Sequence, residues 1–548
     1  MSVIELNVTF GETVLPLPSC DICIVGSGPA GTTLAQELSN TNLRVTLLES
    51  GGMARDPRMD ALDEIDNVGR PRASDQWSVR NRIVGGSSHT WGGRCGPFDA
   101  IDYEERPWVP YSGWPIDGAD LEPYLARTAS HLGLAFGNGY NDERFWAIAN
   151  RQRPALDLDP EILIPVFWQF SRDTEEAYPY EYMRFGRHVA KRIGPNVTLV
   201  TGATVQSVRV SESEDAIRGV RFVAADGSQQ VLTASVVILC CGGVENARIL
   251  MNSDETKPHG VGNDHDQVGR YLMDHLRGSV ATFSLPGSGA LQKRFGRYNV
   301  SRHFFRAGFR LSPDIQRREQ LLNSAGWLGE VLAKDDPWDA LRRMAGRTPK
   351  LPQDLFHIIA NSNLLVRGVK DFLGAKNGVP RKLTELDLQC MCEQVPNPDS
   401  RVTLSERRDR LGMRLPRVDW RSHSDESRTM RRMAELAVQE LPKAGLPAPK
   451  LEEWVKDGAE IPATFVDVAH PTGTTRMSTE PGRGVVDANC EVHGVSGLFV
   501  QGSSVFPTAG HCNPTQMIVA LAVRLADHIK MKHPYREPVP VTAHARCA

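Results

Sequence analysis

The chain has 548 residues, 41% of them hydrophobic, and its 63 basic and 66 acidic side chains leave a formal net charge of −3. That balance gives no overall attraction for nucleic acid or an anionic membrane, and no apolar run approaches the roughly 20 residues that span a bilayer. The first residues lack a basic stretch followed by an apolar one, so the expected location is cytoplasmic and the expected partners are small molecules.

Residues 21–25 form a short apolar run that reads as a buried strand, followed at once by Gly26-Ser27-Gly28-Pro29-Ala30-Gly31 and a helical pattern over 32–38. Gly26 permits a tight turn, Gly28 lets backbone approach a pyrophosphate, and Gly31 lets the helix pack on the strand. A second strand over 44–48 ends at Glu49, placed to accept from a ribose hydroxyl. Strand, turn, helix, strand and acid at this spacing predict a dinucleotide site.

The polar stretch from 50 to 82 reads as an exposed loop or lid. A helical period over 117–132 follows, with Asp117 as its start signal. Short strands are expected at 197–200, 205–210, 217–223, 231–233 and 236–239, the last running into a turn and a helix to Met251. Residues 270–460 are rich in Arg, Phe and Trp with long irregular connections, and an amphipathic helix is expected over 515–530. The ten cysteines show neither a disulfide framework nor a zinc spacing, so they read as reduced core thiols and no metal is expected.

Two further segments carry chemistry. His470 precedes Gly473-Thr474 and Arg476-Met477, and Gly502 opens a stretch that ends in His511-Cys512-Asn513-Pro514-Thr515. With Val84-Gly85-Gly86-Ser87-Ser88-His89-Thr90-Trp91-Gly92-Gly93 and Asn397-Pro398-Asp399-Ser400-Arg401-Val402, these resemble the glucose–methanol–choline (GMC) oxidoreductases, in particular the bacterial branch of sugar dehydrogenases and pyranose oxidases. The resemblance covers about residues 20–530 and is weakest over 285–380.

It implies an α/β fold, α+β overall, in which a Rossmann-like FAD-binding domain assembled from discontinuous segments carries an interleaved substrate-binding domain. The expected FAD segments are 1–110, 191–270 and 466–548, with a helical or lid segment at 111–190 and the substrate domain at 271–465. The resemblance makes His470 the base that takes a hydroxyl proton as hydride leaves the same carbon for flavin N5, with Asn513 bonding the alcohol oxygen. Gly85, Gly86, Ser87, Thr90, Trp91, Gly92, Val205, Gly502 and Thr515 would join Gly26, Gly28, Gly31, Glu49 and Asn513 around the cofactor, and Gln394 and His511 are candidate substrate contacts. Thr90 stands where covalent relatives carry histidine, and His89 is one residue off, so FAD is expected to be held without a covalent bond.

The expected reaction is oxidation of a CH–OH group on a sugar, glycoside or polyol, with oxygen or another acceptor reoxidising the flavin; the oligomeric state stays open. A simple alcohol or choline-type enzyme is the nearest rival. A NAD-binding dehydrogenase without flavin would explain Gly26 to Glu49 but not the histidine and asparagine segments, and a catalytically inert FAD-binding protein is a third alternative.

Overall fold

In the computed structural model, residues 1–6, 17–72, 76–135, 140–150, 153, 157–175, 181–224, 226–300, 302–345, 350–375 and 381–533 are described. The strand Cys20–Val25 is buried along nearly its whole length, as a central parallel strand with both faces covered must be. Gly26 follows at φ +94°, and the helix Pro29–Glu37 starts with proline in its first turn, where the missing N–H costs nothing. A Cβ on Gly31 would lie 1.9 Å from the Gly26 carbonyl oxygen, so only glycine lets this helix approach the strand so closely.

The first sheet runs Ser2–Glu5, Val197–Thr201, Val45–Glu49, Cys20–Val25, Gln229–Leu239, Ile217–Ala224, Ala203–Val210, with Leu498–Val500 also on Gln229–Leu239. The first five strands and Leu498–Val500 pair in parallel, and the last two add an antiparallel hairpin. Three separated parts of the chain therefore build one Rossmann-like α/β sheet. The strands expected at 231–233 and 236–239 are one strand of 11 residues, Gln229–Leu239, which exchanges an antiparallel partner for parallel ones halfway along.

The second sheet is antiparallel throughout: Lys450–Leu451, Leu276–Thr282, Leu383–Cys392, Ser324–Leu332, His303–Leu311, Leu163–Phe170, Arg94–Cys95, with Arg297–Val300 on His303–Leu311. Much of the middle region that reads as irregular is this sheet. The helix Ser424–Lys443 packs on four of its strands and buries Met430, Met433, Ala434 and Leu441. Arg94–Cys95 joins it from the midst of the segment expected to serve FAD.

Asp117 caps the helix Gly118–Leu132 by accepting from the Asp120 amide at 2.9 Å, and Thr515–Lys532 packs against both this helix and Pro29–Glu37. The stretch 50–82 is not simply an exposed loop, because Met59, Leu62 and Asp63 are buried in it. The described cysteines are free thiols, all buried except the half-buried Cys241. Among the described residues no helix is long and apolar enough to cross a membrane.

Candidate active site

A cavity of about 580 Å³ is lined by residues of both sheets, a size suited to a bound small molecule. On the first-sheet side lie Gly26, Gly28, Glu49, Val205, Cys241 and Gly242. A Cβ on Gly28 would meet nothing within 4 Å, so this backbone opens onto free space beside the N-terminus of Pro29–Glu37, whose unpaired amides favour an anion. Glu49 is held at the end of its strand: Ser27 donates to Oε2 through its amide (3.0 Å) and hydroxyl (2.6 Å), and the Gly51 amide donates to Oε1 (2.9 Å). Oε2 is filled by these two bonds, whereas Oε1, whose other donor is the Ser50 hydroxyl at a long 3.4 Å, retains capacity for a ligand hydroxyl. A phosphate-sized opening at a helix N-terminus beside a fixed carboxylate fits the adenosine diphosphate portion of FAD.

The loop 84–93 crosses next to this turn. Gly86, at φ +54°, packs so tightly on Gly28 that a Cβ would stand 2.9 Å from the Gly28 Cα. Gly86, Ser87, Thr90, Trp91 and Gly92 line the cavity. Thr90 donates to Asn81 Oδ1 (2.8 Å), and Trp91 donates its indole N–H to the Met183 carbonyl (2.9 Å). His89 Nε2 donates to the Val84 carbonyl at 2.9 Å, and the residue is not part of the lining.

His470 lines the other part of the cavity, and its placement rests on residues that sequence reasoning missed. Asp274, fully buried, accepts the His470 amide on both oxygens at 3.0 Å and also the His275 (2.8 Å) and Val468 (3.3 Å) amides. Arg72 bridges Asp274 (3.0 Å) and Asp467 (3.1 Å). Burial outweighs Arg72 and lifts the Asp274 pKa to about 6. This clamp holds Ala469 at φ +61°, a left-handed conformation costing a non-glycine residue about 1–2 kcal/mol, directly before His470.

The ring is fixed by a second histidine. His275 Nε2 lies 2.8 Å from the Gly510 carbonyl, which can only accept, so Nε2 carries the proton. His275 Nδ1, 3.0 Å from His470 Nδ1, is then an acceptor, and His470 must donate from Nδ1. The tautomer follows from this network. His470 Nε2 is left with its lone pair, 3.2 Å from Asn513 Nδ2. Burial, then His275, Arg277 and Arg94, depress the His470 pKa well below its ordinary value, so the ring is neutral and ready to accept a proton. Among the described residues Asn513 Oδ1 has no hydrogen-bond partner, and Asn513 and Thr515 both line the cavity.

Five expected residues sit elsewhere, among them Gly31, which packs its helix on the Gly26 carbonyl and is outside the lining. Gln394 is occupied in the core, accepting from the Asp274 amide and the Trp420 indole (both 2.9 Å) and donating to the Arg421 carbonyl (2.5 Å). It supports the Asp274 clamp and does not line the cavity, which corrects its reading as a substrate contact. His511 is buried beside Asp99, with Nδ1 3.4 Å from that carboxylate, and its pKa is depressed to about 4 chiefly by burial; it too is outside the lining. Gly85 and Gly502 act behind the wall: the Gly85 amide bonds the Ser27 carbonyl at 3.1 Å, and Gly502 turns the chain at φ +122° after Leu498–Val500.

Known proteins resemble this chain along most of its length. Models described as GMC oxidoreductase match residues 188–277 and 396–522, and one described as an NAD(P)-binding Rossmann-like domain matches 24–62. The fructose dehydrogenase large subunit of Gluconobacter japonicus is 21% identical over 93% of this chain and 98% of its own. Paromamine 6'-oxidase of Streptomyces fradiae is 23% identical over 92% of this chain and 90% of its own. The crystal structure of formate oxidase superposes with a TM-score of 0.56 at 18% identity, covering 95% of this chain and 99% of that one.

Proposed function

The chain belongs to the GMC oxidoreductases, FAD-dependent enzymes acting on CH–OH donors, and from that premise we propose that it oxidises a hydroxyl-bearing carbon of a sugar, glycoside or polyol, with His470 as the base. When bound, FAD supplies the hydride acceptor. The observation that carries the residue assignment is the line Gly510, His275, His470, which leaves the Nε2 lone pair of His470 at the cavity surface beside Asn513. His470 Nε2 takes the hydroxyl proton, and the Asn513 amide hydrogen-bonds the same oxygen without competing for that proton. The depressed pKa of His470 keeps it unprotonated at neutral pH.

Sugars as substrates are supported by the relatives named for fructose and paromamine. A choline-type substrate is disfavoured, because Arg94, Arg277 and Arg297 line the cavity where a cation would need carboxylates or an open aromatic cage. Non-covalent FAD is supported by His89, whose ring is bonded to the Val84 carbonyl, and by Thr90 on the lining; acid precipitation should leave the yellow colour in the supernatant.

The test is anaerobic flavin bleaching with a panel of sugars, glycosides and simple alcohols. His470→Ala should keep FAD and slow bleaching about 10²-fold or more, the scale of a lost general base. His511→Ala should be milder. Abolition by His511→Ala with near-normal rates in His470→Ala would refute the assignment of the base.

A further inference from the structure

Arg94, Arg277 and Arg297 all reach the cavity from the second sheet, and among the described residues none of their guanidinium groups makes a hydrogen bond or an ion pair. Two of them lie over aromatic faces instead. The Arg94 guanidinium lies 4.4 Å from the Trp327 ring centroid and 5.3 Å from that of Trp168, and Arg297 lies 5.9 Å from that of Phe170. Arg277 follows His275 by two residues and stands opposite Met391 in the sheet. The carboxylates of the lining, Glu49, Asp63 and Glu245, belong to the nucleotide side; on this side Asp387, outside the lining, pulls on Arg277 without forming an ion pair with it.

Arg94 is half-buried while Arg277 and Arg297 are exposed, so the cost of the gathering falls chiefly on Arg94. Burial, then Arg306, Arg277 and Arg297, press the Arg94 pKa well below the usual arginine range, and burial lowers that of Arg277. Three neighbouring guanidinium groups kept without a partner in a cavity amount to a binding site for an anion, since planar forks match carboxylate or phosphate oxygens. We propose that the natural substrate is an anionic hydroxy compound, a sugar-like CH–OH donor bearing a carboxylate or a phosphate that Arg94, Arg277 and Arg297 hold while His470 faces the hydroxyl. This rests on the reading of His470 as the base and narrows the substrate class.

The experiment uses the holoenzyme with a matched set: a methyl glucoside, the corresponding methyl glucuronide, and the methyl glucoside 6-phosphate. Anaerobic flavin reduction gives KM, and calorimetric titration gives affinity without turnover. At least one anionic member should show a KM about tenfold or more below that of the neutral parent, the scale of one charge-assisted contact, and the advantage should shrink with added salt. Which one does so separates carboxylate from phosphate. Measured on the alkaline side of the acid limb, where the base is neutral in every variant, Arg277→Gln and Arg94→Gln should each raise that KM about tenfold relative to the KM of the neutral glycoside, and Arg277→Lys should retain part of the effect. Arg94→Met, which removes an unanswered charge at similar volume, should hold or raise the melting temperature.

Salt-sensitive anion binding that the arginine variants lose, without oxidation of any of the three compounds, would support the inference and count against the sugar reading. Equal affinity for neutral and anionic members, no binding by any of them, or indifference to the arginine substitutions would overturn it, even with sugar oxidation intact. A marked fall in melting temperature for Arg94→Met would assign Arg94 to the scaffold and overturn its part in the site.

Discussion

The two sides of the cavity use the same residue type to opposite ends. On the nucleotide side Arg82 pairs with Asp63 (2.8 Å) and Glu245 (3.2 Å), Arg80 with Glu245 (3.2 Å), and Arg248 with Glu245 (3.3 Å) and Asp409 (2.7 Å). Burial would raise the Glu245 pKa, but Arg248, Arg82 and Arg80 hold it at about 2. That network is closed, with three cations answered by three carboxylates. On the other side Arg94, Arg277 and Arg297 form no hydrogen bond or ion pair among the described residues, and Asp387 acts on Arg277 only at a distance. A closed network fixes the wall against which the cofactor lies, whereas an open one keeps its charge available for a ligand and accepts a loss of stability in exchange.

The largest effect expected from this contrast lies on the closed side. Arg82→Met leaves Asp63 without its guanidinium and weakens the hold on Glu245, both buried, so unfolding should become easier by about 3–5 kcal/mol, the usual result of removing one partner from a buried pair. The reading is a urea or thermal melt beside Arg94→Met. Equal behaviour of the two variants would erase the distinction between the sides.

How much of this was legible in the sequence follows the range of the interactions. The turn at Gly26 to Gly31 and the acid Glu49 are local, because each glycine answers a constraint within a few residues, and they read correctly as a Rossmann-like turn. His470 and Asn513 were named from a family resemblance, and the structure brings them to 3.2 Å across 43 residues. The groups that aim them were invisible. His275 and Asp274 act on a segment about 195 residues away, and neither periodicity nor spacing encodes that distance. The arginines come from Arg94–Cys95, Leu276–Thr282 and Arg297–Val300, brought together only by the sheet. That sheet itself was readable in part: Leu386, Leu388, Cys390 and Cys392 alternate along Leu383–Cys392, but Ser324–Leu332, buried on both faces at its start, shows no alternation there. Gln394 and His511 misled because a polar residue near a motif is as readily a core hydrogen-bonder as a ligand contact.

A smaller effect probes how the substrate side is aimed. His275→Phe keeps an aromatic ring but removes both the acceptor for His470 Nδ1–H and the donor to the Gly510 carbonyl, so His470 no longer has its proton fixed on Nδ1. Flavin reduction should fall about 10–100-fold with FAD retained, the scale on which orienting partners act. His275→Gln can still donate with its amide and accept with its carbonyl, and should keep more of the rate. Equal losses in both variants would mean that packing, and not the tautomer, sets the role of His275.

The smallest expected effect joins the open arginines to the base. A histidine whose folded pKa is depressed stays neutral as pH falls below the ordinary 6.5, so the acid limb of kcat/KM should lie below that value. Arg277 and Arg94 each contribute to the depression by repelling the imidazolium. Removing one of these charges makes protonation easier, so in Arg277→Gln the folded pKa rises and the acid limb moves up toward 6.5. The neutral methyl glucoside is the substrate for this measurement, because its binding does not depend on the arginine and the profile then reports the base alone. The same sign governs stability: below 6.5 the unfolded chain takes up a proton that the folded His470 refuses, so stability falls as pH drops, and Arg277→Gln should soften that fall. An acid limb that stays in place in Arg277→Gln would show that burial alone depresses His470 and that the open cations do not reach the base.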